Sequence, residues 1–293
     1  MMIKNLIESW LSSNEITLVC TFSRPNMVKP FFDAFDEMLL PRDKIHLLIF
    51  DNTENITLHP LLEAQAKRFE SSFKSVRLYT SGRVGGCTLL GQSNDKFNKS
   101  KLRPIWDMWV DLCKLIKTDV FFMLEDDTIA PPHAFYTLLH DFLTCKNAGF
   151  VTGIETGRVL FEWMPVRLGV HYLTRRKNKI LRRLSLKPTE RGIKEIDCSG
   201  VYCFICFTKL WKKAIENQKG YILECPFFGM DNLLTNNIKK LGYKLYADFR
   251  VWCDHLHQAH GSLIKFNKRN AVQMLDIWLP EANNYAQCIE IKK

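Results

Sequence analysis

The sequence TDVFFMLEDDTIAP at residues 118–131 indicates the fold. Residues 120–124 form an apolar run that is long enough for a buried strand and too short for a helix. Three acids follow at once, and a central strand cannot bury unpaired charge within its pairing region. The acids therefore belong at the carboxyl end of the strand, where open α/β sheets bind ligands. A solvated acidic turn is the simpler alternative.

The three acids, Glu125, Asp126 and Asp127, also indicate a cation. Adjacent carboxylates repel one another unless a positive charge joins them. Hard divalent ions take oxygen ligands from one or two carboxylates and from substrate phosphates. We therefore expect Mn²⁺ or Mg²⁺ as the cofactor.

Strand and helix patterns alternate on both sides of this stretch. Strands are predicted at residues 15–21, 44–50, 75–80, 196–207 and 243–253, and helices at residues 26–40, 58–73, 103–114, 133–145, 209–217 and 231–241. Such alternation is typical of a mostly parallel sheet with helices on both faces. We predict an α/β, Rossmann-like domain over residues 1–260 and a tail over residues 261–293.

Several classes of protein are excluded by composition. The longest apolar runs fall well short of the roughly 18 residues of a membrane span, so no transmembrane segment is expected. The first residues do not have the pattern of a signal peptide. Ten cysteines in a chain without that pattern suggest reduced thiols, and we expect a cytoplasmic protein.

Positive charge is concentrated in one segment. The chain has a formal net charge of +10, and residues 158–194 contain eleven basic and two acidic side chains, a net +9. Such a local excess favours a polyanionic partner, with a solvated loop as the alternative. Nucleic acid is favoured over an anionic membrane lipid, although residues 179–184 also fit a basic amphipathic helix. The candidate contacts are Arg175, Arg176, Arg182 and Arg183.

Four elements of the chain resemble a known family. Asp51 ends the second strand, and the three acids end a later one. The sequence GMDNLL at residues 229–234 then opens a helix, and VWCDHL follows at residues 251–256. In order and spacing these elements resemble the GT-A glycosyltransferases, especially the family-2-like group, over residues 16–257.

The resemblance implies a nucleotide-sugar donor, a UDP-sugar first among them. Thr21 and Asp51 fall where the base and ribose are held, and Arg103 falls near a position that approaches the donor. Glu125 falls at the acid expected to reach the ribose, and Asp126 is grouped with these donor-binding residues. Residues 1–130 would then form the donor half, and residues 131–260 the acceptor half with its basic insertion.

The resemblance also implies the metal site and the base. Asp127 matches the last acid, which binds the metal, and His255 matches a late histidine that completes the site. Asp231 matches the general base, which implies direct displacement with inversion at the sugar carbon. A plain helix cap is the alternative role for Asp231. Met230 stands where the group often has Glu.

Other functions remain open at this point. The acceptor is expected to be a modified base in DNA, with a lipid-linked or polysaccharide acceptor at a membrane surface as the alternative. A metal-dependent phosphoryl-transfer enzyme or nuclease would also use clustered carboxylates, whereas a non-catalytic nucleic-acid-binding module would not need them. A structural zinc site is a further alternative, with ligands Cys253, His255, His257 and His260.

Overall fold

The computed structural model describes residues 2–53, 56–82, 103–155, 168–175, 181–187, 189–218, 230–259, 262–266 and 286–288. Seven α-helices occur in these residues: α1 (Met2–Ser13), α2 (Pro25–Glu37), α3 (Leu58–Phe69), α4 (Arg103–Leu115), α5 (Ala134–Thr144), α6 (Thr208–Gln218) and α7 (Met230–Lys240). None of the described helices has the length and apolar character needed to cross a membrane.

Fourteen β-strands occur in the same residues. They are β1 (Ile16–Phe22), β2 (Ile45–Asp51), β3 (Ser75–Thr80), β4 (Val120–Glu125), β5 (Thr128–Ile129), β6 (Ala148–Glu155), β7 (Val170–Arg175), β8 (Leu181–Ser185), β9 (Ile193–Ile196), β10 (Cys198–Ser199), β11 (Cys203–Phe207), β12 (Lys244–Ala259), β13 (Ser262–Phe266) and β14 (Ala286–Cys288).

The main sheet runs in the order β13-β12-β6-β11-β4-β1-β2-β3, and β5 and β9 also pair with β12. β1 is parallel to both β2 and β4, and β12 is parallel to β6. β11 lies antiparallel between β4 and β6. The sheet is therefore mostly parallel with one reversed strand in its centre, and the predicted α/β fold class is confirmed.

Each face of the sheet carries its own apolar layer. Leu18 and Cys20 of β1 pack with α1, α2, α3 and α5 on one face, while Val19 faces the layer formed with α4, α6 and α7 on the other. Because successive residues of a strand point to opposite faces, a strand covered on both sides is apolar throughout. All seven residues of β1 are buried.

The strand predicted at residues 196–207 is three strands. β9 pairs with β12, β10 with β7, and β11 with β4 and β6. The chain changes partner around Gly200, where an added Cβ would lie 2.8 Å from the Tyr202 ring. A periodic apolar pattern does not reveal such a change of partner, because the same residues satisfy either pairing.

The described residues 181–185 of the basic segment form the strand β8, so they are not part of the amphipathic helix that residues 179–184 would also fit. β8 pairs antiparallel with β7 on one side and with β14 on the other. The backbone of Arg182 and Arg183 is therefore in a ladder, and strand partners outweigh the weak helical pattern of residues 179–184. β7, β8, β10 and β14 form a second, four-stranded sheet.

Candidate active site

Acidic residues end several strands of the main sheet at one edge. Asp51 ends β2, Glu125 ends β4 and Glu155 ends β6. β1, β2 and β4 are mutually parallel, so their carboxyl ends share an edge, and the end of β1 lies there too. This is the edge at which open α/β sheets bind ligands.

Asp127 and His255 meet at this edge. The two-residue strand β5 pairs with the late part of β12, which sets His255 opposite Thr128. The Leu256 N–H donates to the Asp127 carbonyl at 2.7 Å. His255 Nε2 consequently lies 3.2 Å from Asp127 Oδ2, and both residues are buried.

An irregularity in β12 makes this pairing possible. The register with β6 shifts between Ala247 and Trp252. Before the shift, β12 pairs with β9, and after it with β5 and β13. A bulge bends a strand and redirects its side chains, and here it delivers His255 to the acids that follow β4.

Glu155 lies on the other side of the His255 ring. Its Oε2 is 3.7 Å from His255 Nδ1, and its Oε1 accepts a 2.7 Å hydrogen bond from the Thr128 hydroxyl. A carboxylate near one ring nitrogen favours the tautomer that presents the other nitrogen to a cation. Glu155 was not predicted from the sequence, because Thr152 and Gly153 interrupt the apolar residues before it, whereas Glu125 follows an unbroken apolar run.

Arg24 is the second residue that the sequence analysis missed. It follows β1, and its Nε donates to Asp126 Oδ2 at 3.3 Å while its Nη2 lies 2.8 Å from Asp127 Oδ2. Asp126 Oδ2 also accepts the backbone N–H groups of Ser23 and Arg24 at 2.9 and 3.1 Å. The carboxylate of Asp126 therefore holds the turn between β1 and α2.

Glu125 lies in an electrostatically unfavourable position at this edge. Burial raises its pKa well above the ordinary value, and the nearby carboxylates of Asp127, Glu155 and Asp126 raise it further. Arg24 acts in the opposite direction. The edge thus has an excess of negative charge that an added cation would relieve.

Asp51 and Thr21 lie at the predicted base and ribose side. Asp51 Oδ1 accepts hydrogen bonds from the backbone N–H and the hydroxyl of Thr53, at 3.1 and 2.9 Å. Its buried Oδ2 accepts no hydrogen bond within the described residues but lies 3.5 Å from His59 Nδ1, and burial raises the pKa of the carboxyl while Thr53 and His59 oppose the rise. Thr21 is buried in β1, between Phe50 and Glu125 of the neighbouring strands.

The start of α4 lies close to Asp51. The side-chain amide of Asn52 donates to the carbonyl of Pro104 at 3.3 Å. The backbone of Arg103, the first residue of α4, is therefore near the end of β2, while its side chain is outside the described part of the structure. Its donor-binding role stays a prediction.

Asp231 lies in the first turn of α7. Its Oδ1 accepts a 3.3 Å hydrogen bond from the Asn232 amide, and its Oδ2 is 3.4 Å from where a Cβ on Gly200 would be. Gly200 N–H donates to Gly169, whose own N–H donates to the carbonyl of Glu155. Two backbone hydrogen bonds thus connect the Asp231 neighbourhood to the end of β6.

The donor set at Asp127 and His255 fits a divalent ion with two protein ligands. No group of three or more His, Cys, Asp or Glu with metal-binding geometry occurs in the described residues. A carboxylate oxygen and an imidazole nitrogen 3.2 Å apart still converge on one point. Mg²⁺ and similar ions keep several waters and take the remaining ligands from substrate phosphates, so two protein ligands suffice.

Other predicted residues fall partly outside the description. Arg175 ends β7, and Arg182 and Arg183 belong to β8, but only their backbone is described; Arg176 lies outside the described residues. The alternative zinc site also stays a prediction, since His260 and the side chain of His257 lie outside them.

Comparisons with known proteins give different results for the sequence and for the fold of this chain. No family model and no curated protein matches the sequence. A structure of GalNAc-T7 with UDP, GalNAc and Mn²⁺ matches 92% of this chain and 48% of its own, with 11% identity and a TM-score of 0.54. The chain has the GT-A fold. The fold prediction is confirmed, and the chain spans about half the length of that protein.

A second solved structure is similar at a lower score. The mannosyltransferase PcManGT from Pyrobaculum calidifontis, in complex with GDP-Man and Mn²⁺, matches 79% of this chain and 54% of its own chain. The identity is again 11%, and the TM-score is 0.45.

Proposed function

We propose that this chain is a metal-dependent glycosyltransferase that moves a sugar from a nucleotide-sugar donor to an acceptor hydroxyl. The observation that carries the proposal is the contact between Asp127 and His255, 3.2 Å apart at the carboxyl edge of a GT-A sheet. GalNAc-T7, whose fold this chain shares, has UDP, GalNAc and Mn²⁺ in its structure.

The donor would lie along the ends of β1, β2 and β4. Asp51 supports this placement, because its buried Oδ2 has only a long 3.5 Å contact with His59 Nδ1 and could accept a shorter hydrogen bond from a ribose hydroxyl. Thr21, Arg103, Glu125 and Asp126 complete the proposed donor side. A divalent ion held by Asp127 and His255 would stabilise negative charge on the leaving diphosphate.

Asp231 is the proposed general base. An acceptor hydroxyl needs a group within hydrogen-bond reach that accepts its proton as the new bond forms. The amide of Asn232 holds one carboxylate oxygen, and a position in the first turn of a helix favours the ionised form. Direct attack with an Asp base gives inversion at the sugar carbon.

A binding screen tests this function. Melting temperatures would be measured with UDP- and GDP-sugars in Mn²⁺, in Mg²⁺ and in chelator. We expect at least one donor to stabilise the chain only with metal, and Asp127→Asn to abolish that shift. Asp33→Asn is a matched control, since it removes one charge from an exposed Lys29 pair. Stabilisation that survives chelator would contradict the proposal.

The acceptor is proposed to be a polyanion, with a modified base in DNA favoured over a lipid-linked or polysaccharide acceptor. The supporting observation is placement. Gly169, inside the basic segment, donates to the carbonyl of Glu155 and accepts from the N–H of Gly200, which follows the segment and lies next to Asp231. A polyanion held by this segment would therefore lie near the proposed base.

Salt dependence tests the acceptor. We expect DNA binding to weaken with salt, with a logarithmic slope near −0.9 per phosphate contacted. Replacing Arg175, Arg176, Arg182 and Arg183 together by Ala should flatten the slope while donor hydrolysis survives. Binding to anionic liposomes without DNA binding would indicate a lipid-linked acceptor. DNA cleavage without sugar transfer would indicate a nuclease.

A further inference from the structure

A single carboxylate oxygen in the candidate site has two nitrogen neighbours. Asp127 Oδ2 lies 2.8 Å from Arg24 Nη2 and 3.2 Å from His255 Nε2. A divalent ion held by Asp127 and His255 would bind that oxygen or lie directly beside it. The guanidinium of Arg24 therefore occupies part of the space and supplies part of the charge that the ion would bring.

Arg24 does not depend on Asp127 for its position. Its backbone N–H and its Nε both donate to Asp126 Oδ2, at 3.1 and 3.3 Å, and its Nη2 also bonds Asp126 Oδ1. The Arg24 side chain is 15% exposed, whereas the Asp127 side chain is 3% exposed. A carboxylate buried to that degree requires a countercharge, and Arg24 provides it.

We propose that Arg24 is a resident countercation that competes with the divalent ion for Asp127. This inference rests on the proposed function, because it presumes a metal site at Asp127. A metal ion arriving alone has to displace the guanidinium from a buried carboxylate. A nucleoside diphosphate gives that guanidinium new partners, since the planar fork of arginine binds phosphate oxygens well.

The competition predicts coupling between two ligands. Metal alone should bind weakly, and a diphosphate should strengthen metal binding, because it removes the cost of displacing Arg24. By linkage, the metal must strengthen diphosphate binding by the same factor. Removing Arg24 should therefore tighten metal binding in the absence of nucleotide and reduce the coupling factor.

The experiment is a titration with Mn²⁺, with and without UDP, monitored by calorimetry or electron paramagnetic resonance. For Arg24→Met we expect Mn²⁺ alone to bind about tenfold more tightly than to the wild type, within the usual range of coupling. The gain in Mn²⁺ affinity on adding UDP should fall by a similar factor. Metal-free Arg24→Met should also melt at a lower temperature and recover more on addition of Mn²⁺.

Two further variants separate charge from local structure. Ser23→Ala disturbs the same turn, since the Ser23 hydroxyl lies 3.4 Å from Asp126 Oδ2, but it leaves the charge at Asp127 in place. We expect its Mn²⁺ affinity to equal that of the wild type. Arg24→Lys keeps the charge without the planar fork and should give an intermediate affinity, which keeps the test valid where Arg24→Met does not fold.

The outcomes distinguish this inference from the proposed function. If the wild type binds Mn²⁺ with UDP and Arg24→Met binds Mn²⁺ no more tightly, Arg24 is only a support for Asp126 and the inference is wrong. If Ser23→Ala tightens Mn²⁺ binding as much as Arg24→Met does, loosening of the turn and not charge is the cause, and the inference is again wrong. If the wild type binds no Mn²⁺ with or without UDP, the metal site itself is refuted.

Discussion

Two arginines in this chain each join two buried aspartates, and their surroundings differ. Arg24 joins Asp126 and Asp127 at the carboxyl edge of the sheet. Arg250 joins Asp141 of α5 to Asp248 of β12 beside the register shift.

The second group is saturated by its own members. Arg250 Nη2 lies 2.8 and 2.9 Å from the two oxygens of Asp141, and its Nε donates to both oxygens of Asp248. In the first group His255 shares an oxygen of Asp127 with the arginine. Composition alone therefore does not mark a binding site. We call Asp127 Oδ2 the contested oxygen, because both Arg24 and His255 contact it. This oxygen does indicate a binding site, since a cation could replace the arginine there.

The largest expected effect concerns the contested oxygen. Asp127→Ala and His255→Ala should each reduce sugar transfer to background, because each removes one of only two protein ligands proposed for the ion. Mn²⁺ binding in the presence of UDP should be lost as well. Asp248→Ala is the comparison, and it should lower stability while the folded fraction still binds Mn²⁺. Equal loss of Mn²⁺ binding in all three variants would remove the distinction between the two groups.

The proposed base comes next. Asp231→Asn keeps the shape of the side chain and an oxygen for capping, but it cannot accept a proton. We expect kcat to fall by roughly 10²–10⁴ while donor binding and melting temperature change little. The kcat is measured as the turnover rate at saturating donor over a range of acceptor concentrations. Normal turnover with a lower melting temperature would assign Asp231 to capping α7.

Breaking the saturated group should affect stability and not ligand binding. Arg250→Met leaves the buried carboxylates of Asp141 and Asp248 without their cation. We expect a loss of about 2–3 kcal/mol in the free energy of unfolding, less than for a fully buried pair because the Arg250 side chain is half exposed. Urea titration gives the stability, and Mn²⁺ affinity with UDP should stay within twofold of the wild type. A large fall in that affinity would show that the register shift in β12 positions His255 through Arg250.

A smaller effect is expected behind His255. Glu155→Gln removes a charge 3.7 Å from His255 Nδ1 but keeps an acceptor for the Thr128 hydroxyl. Such supporting carboxylates typically change metal affinity by about tenfold or more, and we expect the lower end at this distance. Titration with Mn²⁺ and UDP measures it. An unchanged affinity would mean that Glu155 acts through the Thr128 hydroxyl and not through His255.

The acids at the strand ends could be predicted because one rule applies to them. An apolar run that ends in an acid places a carboxylate at the sheet edge, as at Glu125, and β6 also ends in an acid, Glu155, although Thr152 and Gly153 interrupt its apolar residues. The contact between Asp127 and His255 cannot be predicted by this rule, because it depends on the register shift in β12 and on the short strand β5. His255 was predicted from the resemblance to GT-A enzymes and not from the periodicity of the sequence.

The roles of the two arginines could not be predicted. Arg24 reaches an acid 102 residues away, and Arg250 reaches one 109 residues away. Neither residue lies in a pattern that differs from an ordinary exposed arginine. The strand β8 was missed for a similar reason, since its partners β7 and β14 decide its conformation. Information of this kind is in the tertiary pairing and not in any local window.

The smallest expected effect is a pH dependence that belongs to the saturated group alone. Burial, followed by the hydrogen bond shared with Asp248, raises the pKa of Asp141 from its ordinary 3.8 to about 6. His140 and Arg250 also face this carboxyl and oppose the shift. The folded state therefore binds more protons than the unfolded state between these two values. Stability from this group is present at low pH and is lost as the pH rises through about 6.

Asp141→Asn tests this dependence because an amide resembles the protonated carboxyl. Between pH 5 and pH 7.5 the wild type should lose on the order of 1 kcal/mol of unfolding free energy relative to the variant. The expected loss is less than the full shift would give, since Arg250 keeps favourable contact with the ionised carboxylate. Urea titrations at both pH values measure it, with Asp33→Asn as the exposed control. If the unfolding free energies of the wild type and the variant change in parallel, Asp141 does not take up the proton. The saturated group would then be an ion pair at every pH in this range.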